Sequence, residues 1–258
     1  MPTQSEKAEI FKSLHEARDA FFIPNPWDGG SAVTLEKAGF KALATTSAGF
    51  ARSLGREDGE ISLDEKLAHC QLLSSVTSIP ITVDFENGFA DGPDEVGTNI
   101  TRLSETGVVG GSIEDWSRTA MYDFTHAVER VAAAAEASAK LPIPFMLTAR
   151  AEGLYPHMSM RKTGDLDDII NRLKAFEAAG ADVLYAPGLT NLEDVATVLG
   201  EVSKPVNVLT PFLPGITREA FAELGVARLS VGAALAGHMT KTLGEAAEIL
   251  LTTGRIGG

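Results

Sequence analysis

The sequence predicts an α/β protein of the (β/α)8 TIM-barrel class, one domain spanning residues 1–258. Eight short β-branched or apolar runs recur along the chain, and most are separated by a stretch with helical patterning. Several runs are entered through a Gly-containing turn, and polar residues suited to chemistry gather where the runs end. Eight strands alternating with helices over about 250 residues is the count of this barrel; a doubly wound open sheet is its rival.

The strands are read in order from "AFFIPN", "KALATTS", "PITVDFE", "GGSIED", "PFMLTAR", "DVLYAPG", "PVNVLT" and "ARLSVG". Helical stretches are expected at 63–76, 93–106, 124–139, 166–179, 191–201, 217–224 and 233–251. The glycines of "KAGFKAL", "ETGVVGGSI", "AAGADVLY" and "ELGVARLSV" fall where a helix C-terminus turns left-handed before the next strand. No linker of Pro, Ser or charge divides the chain.

A net charge of −13 opposes binding to nucleic acid or an anionic membrane. No apolar run approaches the roughly 20 residues of a membrane span, and the N-terminus lacks a signal-peptide layout. A cytoplasmic location is expected. Cys70 is the single cysteine, so neither an internal disulfide nor a cysteine zinc site is available.

In this barrel, chemistry sits at the C-terminal ends of the strands. That rim should carry Asn25, Trp27 and Asp28 after the first strand, Ser47 after the second, and Asp84 and Glu86 at the end of the third. Glu114 and Asp115 end the fourth, and Arg150 ends the fifth. Asp84 and Glu86 at i and i+2 of a strand would share a face and repel. With Glu114 they form three acids that a hard divalent cation would reconcile, some of them through water. The alternative is pairing with Arg150 or Arg161, or helix capping.

The ordered fragments "TTSAGF", "GREDGE", "VDFENGF", "GSIED", "TAR" and "ARLSVGAAL" resemble the isocitrate lyase and phosphoenolpyruvate mutase superfamily, from about residue 20 to about 245. The resemblance implies a barrel whose C-terminal helix is exchanged with a neighbouring subunit, giving a homodimer or homotetramer. It implies Mg²⁺, with Mn²⁺ as a substitute, and small 2-oxo acid or phosphonate substrates. Position by position, it places the substrate-carboxylate cradle on Ser47, Ala48 and Gly49, and the motif aspartate on Asp58. It places the metal-side acids on Asp84, Glu86 and Glu114, and the oxyanion-side arginine on Arg150. Arg150, Asp58 and Glu114 are thus the expected catalytic residues, with Trp27 as a candidate substrate wall.

The departures narrow the chemistry. The lyase members carry a loop cysteine, and the mutase and phosphonopyruvate hydrolase members carry lysine and asparagine-serine there. This chain reads "DWSRTAMYDFTHAVER" instead. The expected function is a Mg²⁺-dependent carbon–carbon lyase or oxaloacetate-type decarboxylase working through an enolate. Phosphonomutase or phosphonopyruvate hydrolase chemistry, and a degenerate non-catalytic member, are the alternatives. Tyr122, Arg118, His126 and His157 lie near enough to be weighed as proton donors, each against a packing or surface role. Cys70 should be a buried core residue, and His238 should pack on the last helix. Lys41, Lys140 and Lys204 precede strands and so face the wrong end for a Schiff base.

Overall fold

The computed structural model of the chain describes residues 1–17, 19–155 and 165–255. Eight parallel strands form one sheet in the order β1-β8-β7-β6-β5-β4-β3-β2. They are β1 (Phe21–Ile23), β2 (Leu43–Ala44), β3 (Ile81–Asp84), β4 (Gly110–Glu114), β5 (Met146–Arg150), β6 (Val183–Tyr185), β7 (Val206–Leu209) and β8 (Arg228–Ser230). Each lies inside a run anticipated from sequence. The sheet closes between β1 and β2 through the Ala44 amide donating to the Pro24 carbonyl at 3.1 Å. Asn25 reinforces the seam: its Nδ2 donates to the Thr45 carbonyl, and its Oδ1 accepts from the Val231 and Gly232 amides. The architecture is the (β/α)8 barrel, and the open sheet is excluded.

The helices are α1 (Gln4–Glu16), α2 (Gly29–Lys37), α3 (Ser47–Ser53), α4 (Leu63–Val76), α5 (Pro93–Ser104), α6 (Phe124–Ala139), α7 (Leu166–Ala178), α8 (Leu192–Glu201), α9 (Arg218–Leu224) and α10 (Ala234–Thr253). The first three lie outside the stretches singled out from sequence. Two glycines open α2 and a third sits in α3, so intrinsic propensity hides both; side-chain caps from Asp28 and Thr46 start them instead. A capping box between Thr3 and Glu6 starts α1. Gly39, Gly107, Gly180 and Gly225 hold φ of 98°, 90°, 106° and 98°, the left-handed turns expected between helix and strand.

The core has two parts. Outward-facing strand residues such as Val83, Leu147, Leu184 and Leu229 pack on the surrounding helices in the main apolar cluster. Ala8 and Phe11 of α1 pack with Ile23, Ala42, Val109, Met146 and Val183, so α1 plugs the N-terminal end of the barrel. Above the plug the interior is polar: Thr82, Ser112, Thr148, Arg228 and Ser230 line a cavity of about 70 Å³ with Asp84 and Arg150. That departs from the branched aliphatic filling usual in this fold, and it carries polarity from the barrel axis up to the rim.

α10 is the least attached element. Ala236 is its one buried residue, whereas Met239, Leu243, Ile249, Leu250 and Leu251 are exposed. No described helix is long and apolar enough to cross a membrane.

Two outcomes follow from the packing. A Cβ at Gly110 would fall 2.7 Å from the Met146 carbonyl oxygen and 2.9 Å from Thr82 Oγ1. Gly110→Ala should therefore lower stability by about 1–3 kcal/mol in urea unfolding. His15 donates from Nδ1 to the Phe11 carbonyl and turns Nε2 toward Arg228, 3.4 Å away. Burial, then the Arg228 charge, push its pKa down to about 3. Below the unfolded value near 6.5 only the unfolded chain takes the proton, so stability falls as pH drops from about 6.5 toward 3. His15→Met should remove on the order of a few kcal/mol of that pH dependence, measured by urea unfolding across the window.

Candidate active site

Arg150 stands at the end of β5 as the node of the rim. Its Nη1 donates to Asp84 Oδ1 at 2.6 Å, and its Nη2 lies 3.1 Å from Glu114 Oε2 and 2.6 Å from Glu152 Oε1. Nε also donates to Glu152 Oε1, at 2.9 Å. The register makes this possible, because Glu114 of β4 pairs directly with Arg150 of β5, and Asp84 of β3 sits one strand further. Nε and Nη1 thus donate to Glu152 and Asp84, Nη2 is ion-paired with Glu114 and Glu152, and the Arg150 side chain lines the polar cavity. Burial disfavours the charge on Arg150, but Glu152, Glu114 and Asp84 outweigh it and hold its pKa well above the ordinary value. For Asp84, burial is outweighed by Arg150, Lys66 and the Ser47 amide, and its pKa is held down.

The expectation that Asp84 and Glu86 lie side by side on one strand face is corrected. β3 ends at Asp84, and Glu86 adopts φ 49°, which breaks the two-residue alternation, although the Asp84 charge still acts on Glu86. Glu86 Oε2 accepts from Arg118 Nη2 at 2.8 Å, while Oε1 is buried with no partner. Burial pushes the Glu86 pKa up, ahead of the opposing charges of Lys66 and Arg118. An arginine at a strand end, Arg150, and one from the loop after β4, Arg118, thus pair with Asp84 and Glu86 respectively. The loop carrying Glu86 is fastened by Arg130, whose guanidinium donates to the carbonyls of Asn87, Ala90, Asp91 and Glu114.

Among the described residues, no group of three His, Cys, Asp or Glu is gathered closely enough to hold a metal by itself. A closed carboxylate cage therefore does not fit. A hydrated Mg²⁺ does, since it takes one or two carboxylates directly and reaches others through water. Asp84 supplies an anchored carboxylate, and Glu86 Oε1 supplies a buried carboxyl oxygen without a hydrogen-bond partner.

The loop after β2 becomes the first turn of α3. The Ser47 amide donates to Asp84 Oδ2 at 3.0 Å, which ties the expected cradle to the Arg150 network. The Gly49 amide caps back onto Thr46 Oγ1 at 3.2 Å. A Cβ at Gly49 would fall 2.5 Å from Thr46 Cγ2 and 3.1 Å from Trp27 Cβ, so this turn demands glycine. Trp27 packs against it, half-buried, and Ala48 lies beside it, also half-buried. Asp58 is exposed in the next loop and reaches Glu86 only through its field. Ser47, Asp84, Glu114 and Arg150 are therefore joined in one network, Trp27 and Gly49 flank it, and Asp58 stands apart.

Three of the four residues weighed as proton donors are occupied. Tyr122 donates to Asp91 and accepts from Asn87, and burial pushes its pKa up. His126 meets the Asp91 carbonyl at 2.9 Å, and Arg118 holds Glu86. His157 and Arg161 lie outside the described residues. His238 is exposed on α10 rather than packed. Cys70 is buried and its thiol is pushed up to about 12 by burial, an inert core residue. Two participants were missed from sequence. Glu152, wholly buried, clamps Arg150, and its only signal is an acid two residues past the strand in "TARAE". Lys66, wholly buried on α4, had none.

The phosphoenolpyruvate phosphomutase family model matches residues 11–251. A solved structure from Burkholderia cenocepacia J2315, assigned as a lyase/mutase, is 45% identical, with a TM-score of 0.92 over 98% of this chain and 91% of that one. The structure of 2,3-dimethylmalate lyase is 28% identical, with a TM-score of 0.86 over 100% of this chain and 90% of that one. The 2-methylisocitrate lyase of Aeropyrum pernix is 26% identical over 84% of this chain and 70% of its own length. With the motif order, the barrel and the match along nearly the whole chain agreeing, the protein belongs to the phosphoenolpyruvate phosphomutase family, within the isocitrate lyase and phosphoenolpyruvate mutase superfamily.

Proposed function

We propose that this chain is a Mg²⁺-dependent lyase that breaks the bond between carbons 3 and 4 of a small 2-oxo dicarboxylate, with decarboxylation of an oxaloacetate-like acid as its favoured reaction. The observation that carries this reading is Arg150, a buried guanidinium locked in place by three carboxylates at the wall of the polar cavity. Such a donor needs no reorganisation as negative charge grows on the substrate oxygen. Asp84 and Glu86, with Glu114 through water, would hold the cation. When bound, Mg²⁺ would polarise the 2-oxo acid as a Lewis acid.

The chain's own residues account for the remaining demands. Ser47, Ala48 and Gly49 at the start of α3 would border the substrate carboxylate, and Trp27 walls that side. Loss of CO₂ leaves an enolate that Arg150 stabilises until solvent protonates it. That chemistry asks for no dedicated acid, which suits a loop whose Tyr122 and Arg118 are both committed.

Assembly enters the same reading. The exposed apolar residues of α10 are covered by a second copy in a homodimer or dimer of dimers, the helix exchange that the family resemblance implies. Ala236 at its start lies against Gly49, so this exchange borders the site.

Turnover of oxaloacetate above the free-Mg²⁺ rate, followed by product NMR, is the expected result, and EDTA should abolish it. Arg150→Lys keeps the charge but not the fork, and should lower kcat by on the order of a hundredfold. Tyr122→Phe should stay within a few-fold of the parent. Rearrangement of phosphonopyruvate with no consumption of oxaloacetate would establish the mutase reaction instead. Light scattering should give a dimer or tetramer at micromolar concentration, shifted toward monomer by Leu243→Asp; a monomeric parent overturns the assembly reading.

A further inference from the structure

Arg228 opens β8 and lies inside the barrel, 4% exposed. Its Nε donates to Asn207 Oδ1 at 2.9 Å and its Nη2 to Thr148 Oγ1 at 3.1 Å, while Nη1 stands 3.4 Å from His15 Nε2. Each of these partners is neutral. Asn207 Nδ2 donates to Ser230 Oγ at 2.9 Å, which turns the amide oxygen toward the guanidinium, and His15 gives its one proton to the Phe11 carbonyl. The other buried arginines are better matched. Arg150 and Arg172 meet carboxylates at 2.6 Å and 3.2 Å, and Arg130 spreads its charge over four backbone carbonyls. Among the described residues, no carboxylate is ion-paired with Arg228. Burial lowers its pKa to about 10, so it is still a cation near neutral pH. A buried charge without a counter-charge is strongly unfavourable.

The fold leaves a place for one. Arg228 lines the cavity of about 70 Å³ inside the barrel, a volume far above the roughly 10–15 Å³ that one water needs. Ser112 of β4 is in register with Thr148 of β5, so both stand at the level where Thr148 meets Arg228. Thr148 Oγ1 accepts from Arg228, and its own proton is available to an anion. Thr82 and Ser112 add hydroxyls to the same wall. Arg150 closes the cavity one strand repeat above Thr148, about 7 Å along β5, but its charge is taken up by Asp84, Glu114 and Glu152. Asp84 is the one carboxylate on the wall, and its oxygens are engaged at the rim end, Oδ1 by Arg150 and Oδ2 by the Ser47 amide. The attracting charge is therefore that of Arg228, at the inner end.

We infer that Arg228, with the hydroxyls of Thr148 and Ser112, forms a site inside the barrel for one small monovalent anion of the halide type, held as the counter-charge of this guanidinium. The site lies below the rim and is independent of the reaction proposed there.

The test follows thermal unfolding of the full chain at constant ionic strength while chloride replaces gluconate, an anion too bulky for the cavity. Raising chloride from about 1 to about 100 mM should raise the wild-type midpoint by about 5 °C. Arg228→Met should lose that dependence, and Arg228→Lys should keep part of it. Crystals grown in bromide should show its anomalous peak beside Arg228, a reading that needs no variant should Arg228→Met fail to fold. A wild-type midpoint indifferent to chloride, bromide found only elsewhere, or a folded Arg228→Met that keeps the full shift overturns the inference. Stabilisation by oxaloacetate but not by chloride, lost in Arg228→Met, overturns it as well and assigns Arg228 to a substrate carboxylate.

Discussion

The rim of this barrel depends on one buried guanidinium. Arg150 draws Asp84, Glu114 and Glu152 from three consecutive strand ends into a single network. Without it, three carboxylates would share a partly dry mouth, and each would have to take up a proton or move apart. Leaving such a group unpaired costs about 3–5 kcal/mol, so the local structure tolerates little change at this position. The network also reaches the backbone: Asp84 accepts the Ser47 amide and so fixes where α3 begins. Ser47, Arg150 and the acidic cluster are therefore held by one connected set of charge-assisted bonds.

A second constraint surrounds Glu86. The non-glycine residues with positive φ among those described are Glu86, Phe89 and Arg118, at 49°, 56° and 74°. They meet in one contact, where Arg118 bonds Glu86 and lies 5.4 Å over the Phe89 ring. Each such conformation costs on the order of 1–3 kcal/mol and persists only where its surroundings impose it. Here the surroundings include Arg130, wholly buried, which satisfies four carbonyls of the loop after β3 and of the end of β4, with its guanidinium 4.0 Å over Tyr122. Strain at the mouth is thus offset by hydrogen bonds beneath it.

These constraints bear on the reaction. The loop after β4 is a small hairpin, bridged between Trp116 and Met121, with Ser117 and Arg118 committed to structure. The proposed decarboxylation suits such a loop, because its enolate product can wait for solvent. Below Arg150 the barrel axis is polar, lined by Thr148, Ser112 and Ser230 where aliphatic residues usually stand.

The sequence by itself determined the fold class, all eight strands and seven of the helices, because alternation of short β-branched runs with helical stretches is a local, periodic signal. It also determined which residues reach the rim, since a strand's end is legible wherever a polar residue interrupts an apolar run. It did not reveal α2 and α3, whose glycines suppress propensity and whose caps become visible only once the chain turns. Tertiary structure alone decided who pairs with whom. Arg150 and Asp84 are 66 residues apart, and which acid a guanidinium takes depends on strand register and on a left-handed residue at Glu86. Lys66 is the sharpest case: in sequence it is an ordinary helical lysine, and only the packing of α4 beneath α3 turns it into a buried charge, because burial is a property of neighbours that spacing along one helix does not encode.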